Sequence, residues 1–134
     1  MFDSFRKLHT RALLIASYEI FETVFGPYIG RRIWRYAERL EFKSGEFLFR
    51  EGHMNRTLYL LQCGKVTSII KTSNGRTKRL SSMRRGAFFN QECLFMKRPV
   101  SHSSFAEEDS VVWVLRQKSL NDLKINDPFL ASEI

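Results

Sequence analysis

From Leu40 onward the chain reads as short alternating apolar runs cut by glycine-marked turns, and that pattern excludes most folds. Leu40 and Phe42, Phe47 and Phe49, Leu58 to Leu61, and Val66 to Ile69 follow the period of a β-strand. Ser44-Gly45, Glu51-Gly52, Cys63-Gly64 and Asn74-Gly75 separate these runs. Glycine at such points supplies the positive φ or close approach that tight turns need. Asn74-Gly75, between Ser68–Thr72 and Thr77–Leu80, is the strongest hairpin signal. Further strands are expected at Ser103–Ala106 and Ser110–Leu115. Many short strands between flanking helices predict a mainly β fold, an antiparallel double-sheet jelly roll or β-roll. Its expected core includes Leu58, Leu60, Val66, Phe88, Leu94, Val112 and Val114.

Before Leu40 the period is helical. Residues Phe5 to Phe25 gather Leu13, Leu14, Ile20, Phe21, Val24 and Phe25 into one broad apolar stripe, which Gly26-Pro27 stops. A second short helix is expected over Tyr28 to Ala37, where Ile29, Ile33, Trp34 and Tyr36 alternate with arginines. After the strands, Lys118 to Leu123 returns to helix. Asp127 is then placed to N-cap one more helix, with Pro128 at its first position. The chain therefore divides into an N-terminal helical segment, 1–39, and a β-roll with C-terminal helices, 40–134.

A length of 134 residues suits one domain, and 43% hydrophobic content with twelve Phe supports a packed core. No apolar run approaches the ~20 residues needed to span a bilayer. The longest, Ala12 to Ile20, is interrupted by Ser17 and Glu19, so Ala12–Phe25 is read as an amphipathic helix rather than a leader, although Arg6, Lys7 and Arg11 precede it. Cys63 and Cys93 have no metal-like spacing. Each is expected to be a small buried residue in a reducing, cytoplasmic compartment, without a disulfide. His9, His53 and His102 fall in three separate elements, so no metal site is expected. Glu107-Glu108-Asp109 reads as an acidic turn, and no catalytic order of residues emerges. An enzyme is not expected.

The net charge of +8 is a stronger signal. Its basic surface comprises Arg31, Arg32 and Arg35, then Lys78 and Arg79, then Arg84 and Arg85. Such a field favours an acidic protein surface or an anionic membrane face as partner; the bland alternative is that the charge only keeps the domain soluble. The basic residues are not arranged along one recognition helix, so nucleic acid is not the expected partner.

Two further stretches carry a resemblance. One is Ser44 to Gly52, followed by Thr57 to Val66, with their glycines, Glu46, Leu48, Leu58, Tyr59 and Leu61. The other runs from Gly86 to Ala106. Together they resemble the cyclic-nucleotide-binding domains of catabolite-activator-type regulators, kinase regulatory subunits and gated channels. In the second stretch, which resembles the family's phosphate-binding cassette, Gly86, Leu94, Pro99, Ser101, Ser103 and Ala106 keep the framework. The family's second Gly falls on Asn90, its Glu on Gln91, its Arg on Val100 and its small Ala on His102. The ending from Leu120 to Ala131, with the leaders Phe21–Gly26 and Tyr36–Phe42, looks more like the version fused to the cytoplasmic end of sulfate-permease-type transporters.

The resemblance implies a ligand pocket around Gly86, Phe89, Asn90, Gln91, Glu92, Cys93, Leu94, Arg98, Val100, Ser101 and His102. In the family a short helix offers backbone N–H groups to the cyclic phosphate, the Arg pairs with its oxygens, and the Glu accepts from the ribose hydroxyl. Guanidinium matches phosphate with a two-pronged fork, which Val100 cannot supply. Loss of one partner from a buried charged pair costs ~2–5 kcal/mol, roughly thirty-fold to several thousand-fold in affinity. Gln91 can still accept a hydroxyl through its amide oxygen, while His102 fills space where a small residue stood. Arg98 swinging in, Glu92 taking the ribose role, and a protonated His102 are the available rescues. No cofactor is expected, with cyclic AMP, cyclic GMP or another small anion as the candidate ligand. The reading is a non-enzymatic regulatory or interaction domain with weak or no nucleotide binding, acting in signalling or transport within a larger protein, such as a membrane transporter, or assembly. A working sensor domain of a transporter, channel or kinase regulator, or the ligand-binding fragment of a transcription regulator, is the alternative.

Overall fold

The computed structural model describes residues 19–94 and 97–132, with only the backbone described for Cys93 and Leu94. Residues 19–25 are helical (α1), and α2 follows at Pro27–Trp34. Eight strands come next: β1 Glu38–Phe42, β2 Phe47–Phe49, β3 Leu58–Cys63, β4 Val66–Lys71, β5 Thr77–Met83, β6 Phe88–Phe89, β7 Ser103–Ala106 and β8 Ser110–Leu115. A 3₁₀ turn, Gln91–Leu94, interrupts them after β6, and helices α3 (Gln117–Asn126) and α4 (Pro128–Ser132) close the described chain. The part of the first expected helix before residue 19 lies outside the described residues.

The strands form two four-stranded sheets, ordered β1-β8-β3-β6 and β2-β7-β4-β5, in which the described pairings are antiparallel. This is the expected double-sheet roll. The two-residue period explains how one sheet serves two cores. Leu58, Leu60, Trp113 and Leu115 face the helices and pack with Ile20, Phe21, Ile33, Leu120, Leu123 and Leu130. Their neighbours Tyr59, Leu61, Val112 and Val114 face the second sheet and pack with Phe49 and Val66. Strands β3 and β8 are thus buried on both faces, and each fully buried Leu or Val contributes ~1.5–3 kcal/mol. Trp113 takes its place in the helix-side core because its indole N–H donates to buried Gln62 Oε1 at 2.6 Å.

Glycine is required most clearly at Gly64, between β3 and β4. Its φ is +96°, and an added Cβ would lie 2.2 Å from Ser110 Oγ and 2.6 Å from the Asp109 carbonyl oxygen. The Asn74-Gly75 hairpin also forms. Gly75 N–H donates to the Thr72 carbonyl, Thr72 N–H donates to the Arg76 carbonyl, and φ is positive at Gly75 but not at Asn74. The connection is therefore a three-residue loop with glycine in the left-handed position, in place of a two-residue turn with both φ positive.

Three boundaries differ from expectation. Helix α2 ends at Trp34 rather than Ala37, because Tyr36 and Ala37 donate back to Ile33 and Trp34 in tight final turns before β1. Helix α3 runs past Leu123 to Asn126, and Asp127 then caps α4 as expected, its carboxylate accepting from Leu130 N–H at 3.1 Å. Cys63 is exposed rather than buried: a bulge between Leu61 and Cys63 breaks the alternation just where the strand runs out into the Gly64 turn. The side chains of Cys93 and Leu94 lie outside the described residues.

Candidate ligand pocket and charged surfaces

Strand β6 delivers the chain into the cassette at Asn90, whose φ of +68° is the one positive value among the described non-glycine residues. Asparagine tolerates the left-handed region better than other side chains, so Asn90 can occupy a backbone position that the resemblance assigns to glycine. Its amide is then put to structural use. Asn90 is buried, and its Nδ2 donates to the Thr57 carbonyl at 2.8 Å and to Asn55 Oδ1 at 3.2 Å. Asn55 Oδ1 also accepts from Thr57 N–H, and its Nδ2 donates to the Tyr59 hydroxyl at 2.9 Å. The entry to the cassette is bolted to the loop before β3.

Around this bolt lies a cavity of about 40 Å³, lined by Asn55, Asn90, Glu92, Arg98, Pro99, Val100 and Ser101. At ~10–15 Å³ per water, that is room for about three or four water molecules; drug-sized ligands occupy pockets of ~300–1,000 Å³. The expected pocket residues divide accordingly. Asn90, Glu92, Arg98, Val100 and Ser101 come together around the cavity, whereas Gln91 is exposed and does not line it. Gly86 N–H pairs with the Leu61 carbonyl at the cassette's start, and Phe89 stacks on Tyr59 in the inter-sheet core at 5.2 Å. His102 is half-buried and meets the edge of Phe49 at 5.4 Å. Asn55 was missed by sequence reasoning. Its signal was local, an Asn two residues before Thr57 in a loop, the pattern of an Asx turn.

Val100 is fixed from both directions. Its N–H donates to the His53 carbonyl at 3.0 Å, its carbonyl accepts from Gly52 N–H at 2.9 Å, and its side chain packs against the inter-sheet core. Where the resemblance places a phosphate-pairing Arg, this chain has a half-buried apolar side chain that packs against the core and lines the cavity. The cavity's charges are the cation Arg98 and the carboxylate Glu92, on either side of the undescribed residues 95–96.

The basic residues occupy separate elements. On α2, Arg31 pairs with Glu22 at 3.1 Å, and Arg32 bonds Asp127 and the Tyr28 hydroxyl, while Arg35 is exposed. On β5, an edge strand, Lys78 is exposed and Arg79 pairs with Glu107 at 2.6 Å. In the turn before β6, Arg85 donates to the Gln62 carbonyl at 3.0 Å and Arg84 is exposed. Glu107, read from sequence only as part of an acidic turn, also accepts from Thr67 Oγ1 at 2.6 Å and lies 3.1 Å from Lys65 Nζ. The hydrogen bonds from Arg79, Thr67 and Lys65 hold its carboxyl down to about 2. Among the described residues no three His, Cys, Asp or Glu side chains gather as metal ligands, and no helix is long and apolar enough to cross a membrane.

Residues 39–127, from the first strand of the roll to the end of α3, match the cyclic nucleotide-binding domain family. The chain belongs to that family. Such domains are regulatory modules. No curated protein matches the sequence. The cyclic nucleotide-binding domain of Methylobacillus flagellatus superposes with a TM-score of 0.78 at 21% identity, covering 91% of this chain and 71% of its own. The N-terminal domain of a transcriptional regulator from Streptomyces coelicolor gives 0.76 at 18% identity, over 88% and 85%. The catabolite activator protein of Thermus thermophilus gives 0.72 at 23%, covering 85% of this chain. This chain spans about half of that protein, 54%. At these identities the likeness concerns the fold.

Proposed function

We propose that this domain is a non-enzymatic regulatory or interaction module that binds cyclic AMP and cyclic GMP weakly or not at all. It would act inside a larger protein or assembly, with a membrane transporter as one such context, on the cytoplasmic side. The observation that carries the reading is Val100, an apolar residue where the resemblance places the phosphate-pairing Arg, anchored through Gly52 and His53 and half-buried against the inter-sheet core. The small cavity beside it and the position of His102 against Phe49 support the same reading. Its surface charge favours an acidic or anionic partner. Isothermal titration with each nucleotide tests the nucleotide half: the expected outcome is no saturable heat at micromolar ligand, and sub-micromolar binding contradicts it.

A second reading is favoured by Arg98, the one cation among the described residues that line the cavity. A working sensor would use it in place of the missing Arg. In that case the titration shows binding, and Arg98→Gln abolishes it.

A further inference from the structure

One polar atom of Asn90 goes unanswered. Asn90 is 4% exposed, and its Oδ1 is buried without a hydrogen-bond partner among the described residues. A buried acceptor in that state is costly unless something outside the fold donates to it. Flipping the amide is no cure. It would set Oδ1 against the Thr57 carbonyl and Asn55 Oδ1, both acceptors that Nδ2 now serves. Asn55, the other amide in the cavity wall, is fully engaged: its Oδ1 accepts from Asn90 Nδ2 and Thr57 N–H, and its Nδ2 donates to Tyr59. Asn90 itself lines the cavity, so a donor held there can answer Oδ1.

Two more groups in the same wall are free. Glu92 and Arg98 are exposed, and neither forms an ion pair with another described residue. They are the charged residues among those described that line the cavity, one of each sign. Both border a space of about 40 Å³, so a molecule of a few non-hydrogen atoms reaches both.

Together the three groups select among small ligands. A simple anion suits Arg98 but is repelled by Glu92 and, with no proton to give, does nothing for Asn90 Oδ1. A simple cation meets the reverse conflict at Arg98. A molecule carrying both an ammonium group and a carboxylate answers all three. Its ammonium donates to Asn90 Oδ1 and to Glu92, and its carboxylate accepts from the guanidinium fork of Arg98. The volume admits that charged head and little else, so any side chain is short or projects into solvent.

We infer that the cavity bounded by Asn90, Glu92 and Arg98 binds a small free amino acid in its zwitterionic form. The inference rests on the reading above that a cyclic nucleotide is not the ligand of this cavity. The two fail separately: nucleotide titration tests that reading, and titration with glycine in the absence of nucleotide tests this one.

The experiment is an NMR titration of the whole chain with glycine, read at the side-chain amide of Asn90. Saturable shifts are expected there, with half-saturation on the order of 1 mM. Acetate and methylammonium, which carry one charge each, are controls, as is glycine betaine, which carries both charges but no N–H. Each control should bind roughly ten-fold more weakly than glycine, or worse. Glu92→Gln and Arg98→Gln should each weaken glycine binding about ten-fold. Both side chains are exposed, so the melting temperature should hardly move. Absence of saturation by glycine, equal binding of betaine or acetate, or indifference to both substitutions overturns the inference. So does a crystal grown in glycine in which an ordered water alone donates to Asn90 Oδ1.

Discussion

Strands β3 and β8 and the cassette from Gly86 to His102 follow opposite rules. In the strand pair, alternate residues fill two cores, and the positions are spoken for by packing on both sides. In the cassette, the described side chains at three positions where the resemblance places reading or small residues make structural contacts instead. Asn90 ties the left-handed turn to Asn55 and Thr57, Val100 packs against the core, and His102 leans on Phe49. Under the function proposed above, the fold would survive the loss of its reading groups because each replacement finds a structural partner. That proposal makes scaffold and site separable in this family member.

The largest expected effect sharpens the scaffold side. Leu61 is fully buried between the sheets, so Leu61→Ala should cost about 3 kcal/mol, read as a lower midpoint in urea with the slope unchanged. A loss below about 1 kcal/mol would mean that the inter-sheet core is not what holds the roll.

Asn90 tests whether the cassette has become structural. Asn90→Ala removes two hydrogen bonds from Nδ2 and puts alanine at positive φ, a cost of about 2 kcal/mol. Asn90→Gly restores backbone freedom and should recover part of that loss, though not the bonds. If the glycine variant matched or exceeded the parent in stability, the bolt to Asn55 would carry no weight.

A smaller effect concerns acid. The carboxyl of Glu107 is held at about 2 against an ordinary 4.5, so its contribution to stability is complete above pH 4.5 and fades as pH falls from there toward 2. Thermal melts of the parent should steepen their decline across that window. Glu107→Gln should flatten it there, with little change in slope near neutrality. Equal acid dependence in both proteins would remove Glu107 from the account.

Much of the scaffold was legible because its signals are local and repeated. Strands at Ser103–Ala106 and Ser110–Leu115 form at the residues expected, since apolar alternation and flanking turns mark both ends. The Asp127–Pro128 helix start also forms as read. Cys63 was misread because a bulge, which depends on how two strands meet, ended the alternation one residue early. The length of the Asn74-Gly75 loop was hidden for a similar reason: the same dipeptide fits two turn geometries, and pairing across β4 and β5 selects one. In the pocket, Val100 was visible in sequence, but its packing against the inter-sheet core was not. Neither was the part played by Asn55, whose contact with Asn90 joins residues 35 apart in the chain.

The separation of scaffold from site is tested most directly by giving the reading groups back. Val100→Arg with His102→Ala should leave the fold intact and, on isothermal titration, produce cyclic-nucleotide binding at least thirty-fold tighter than the parent's. Tight binding by the parent itself, or a folded double variant that gains nothing, would contradict the account.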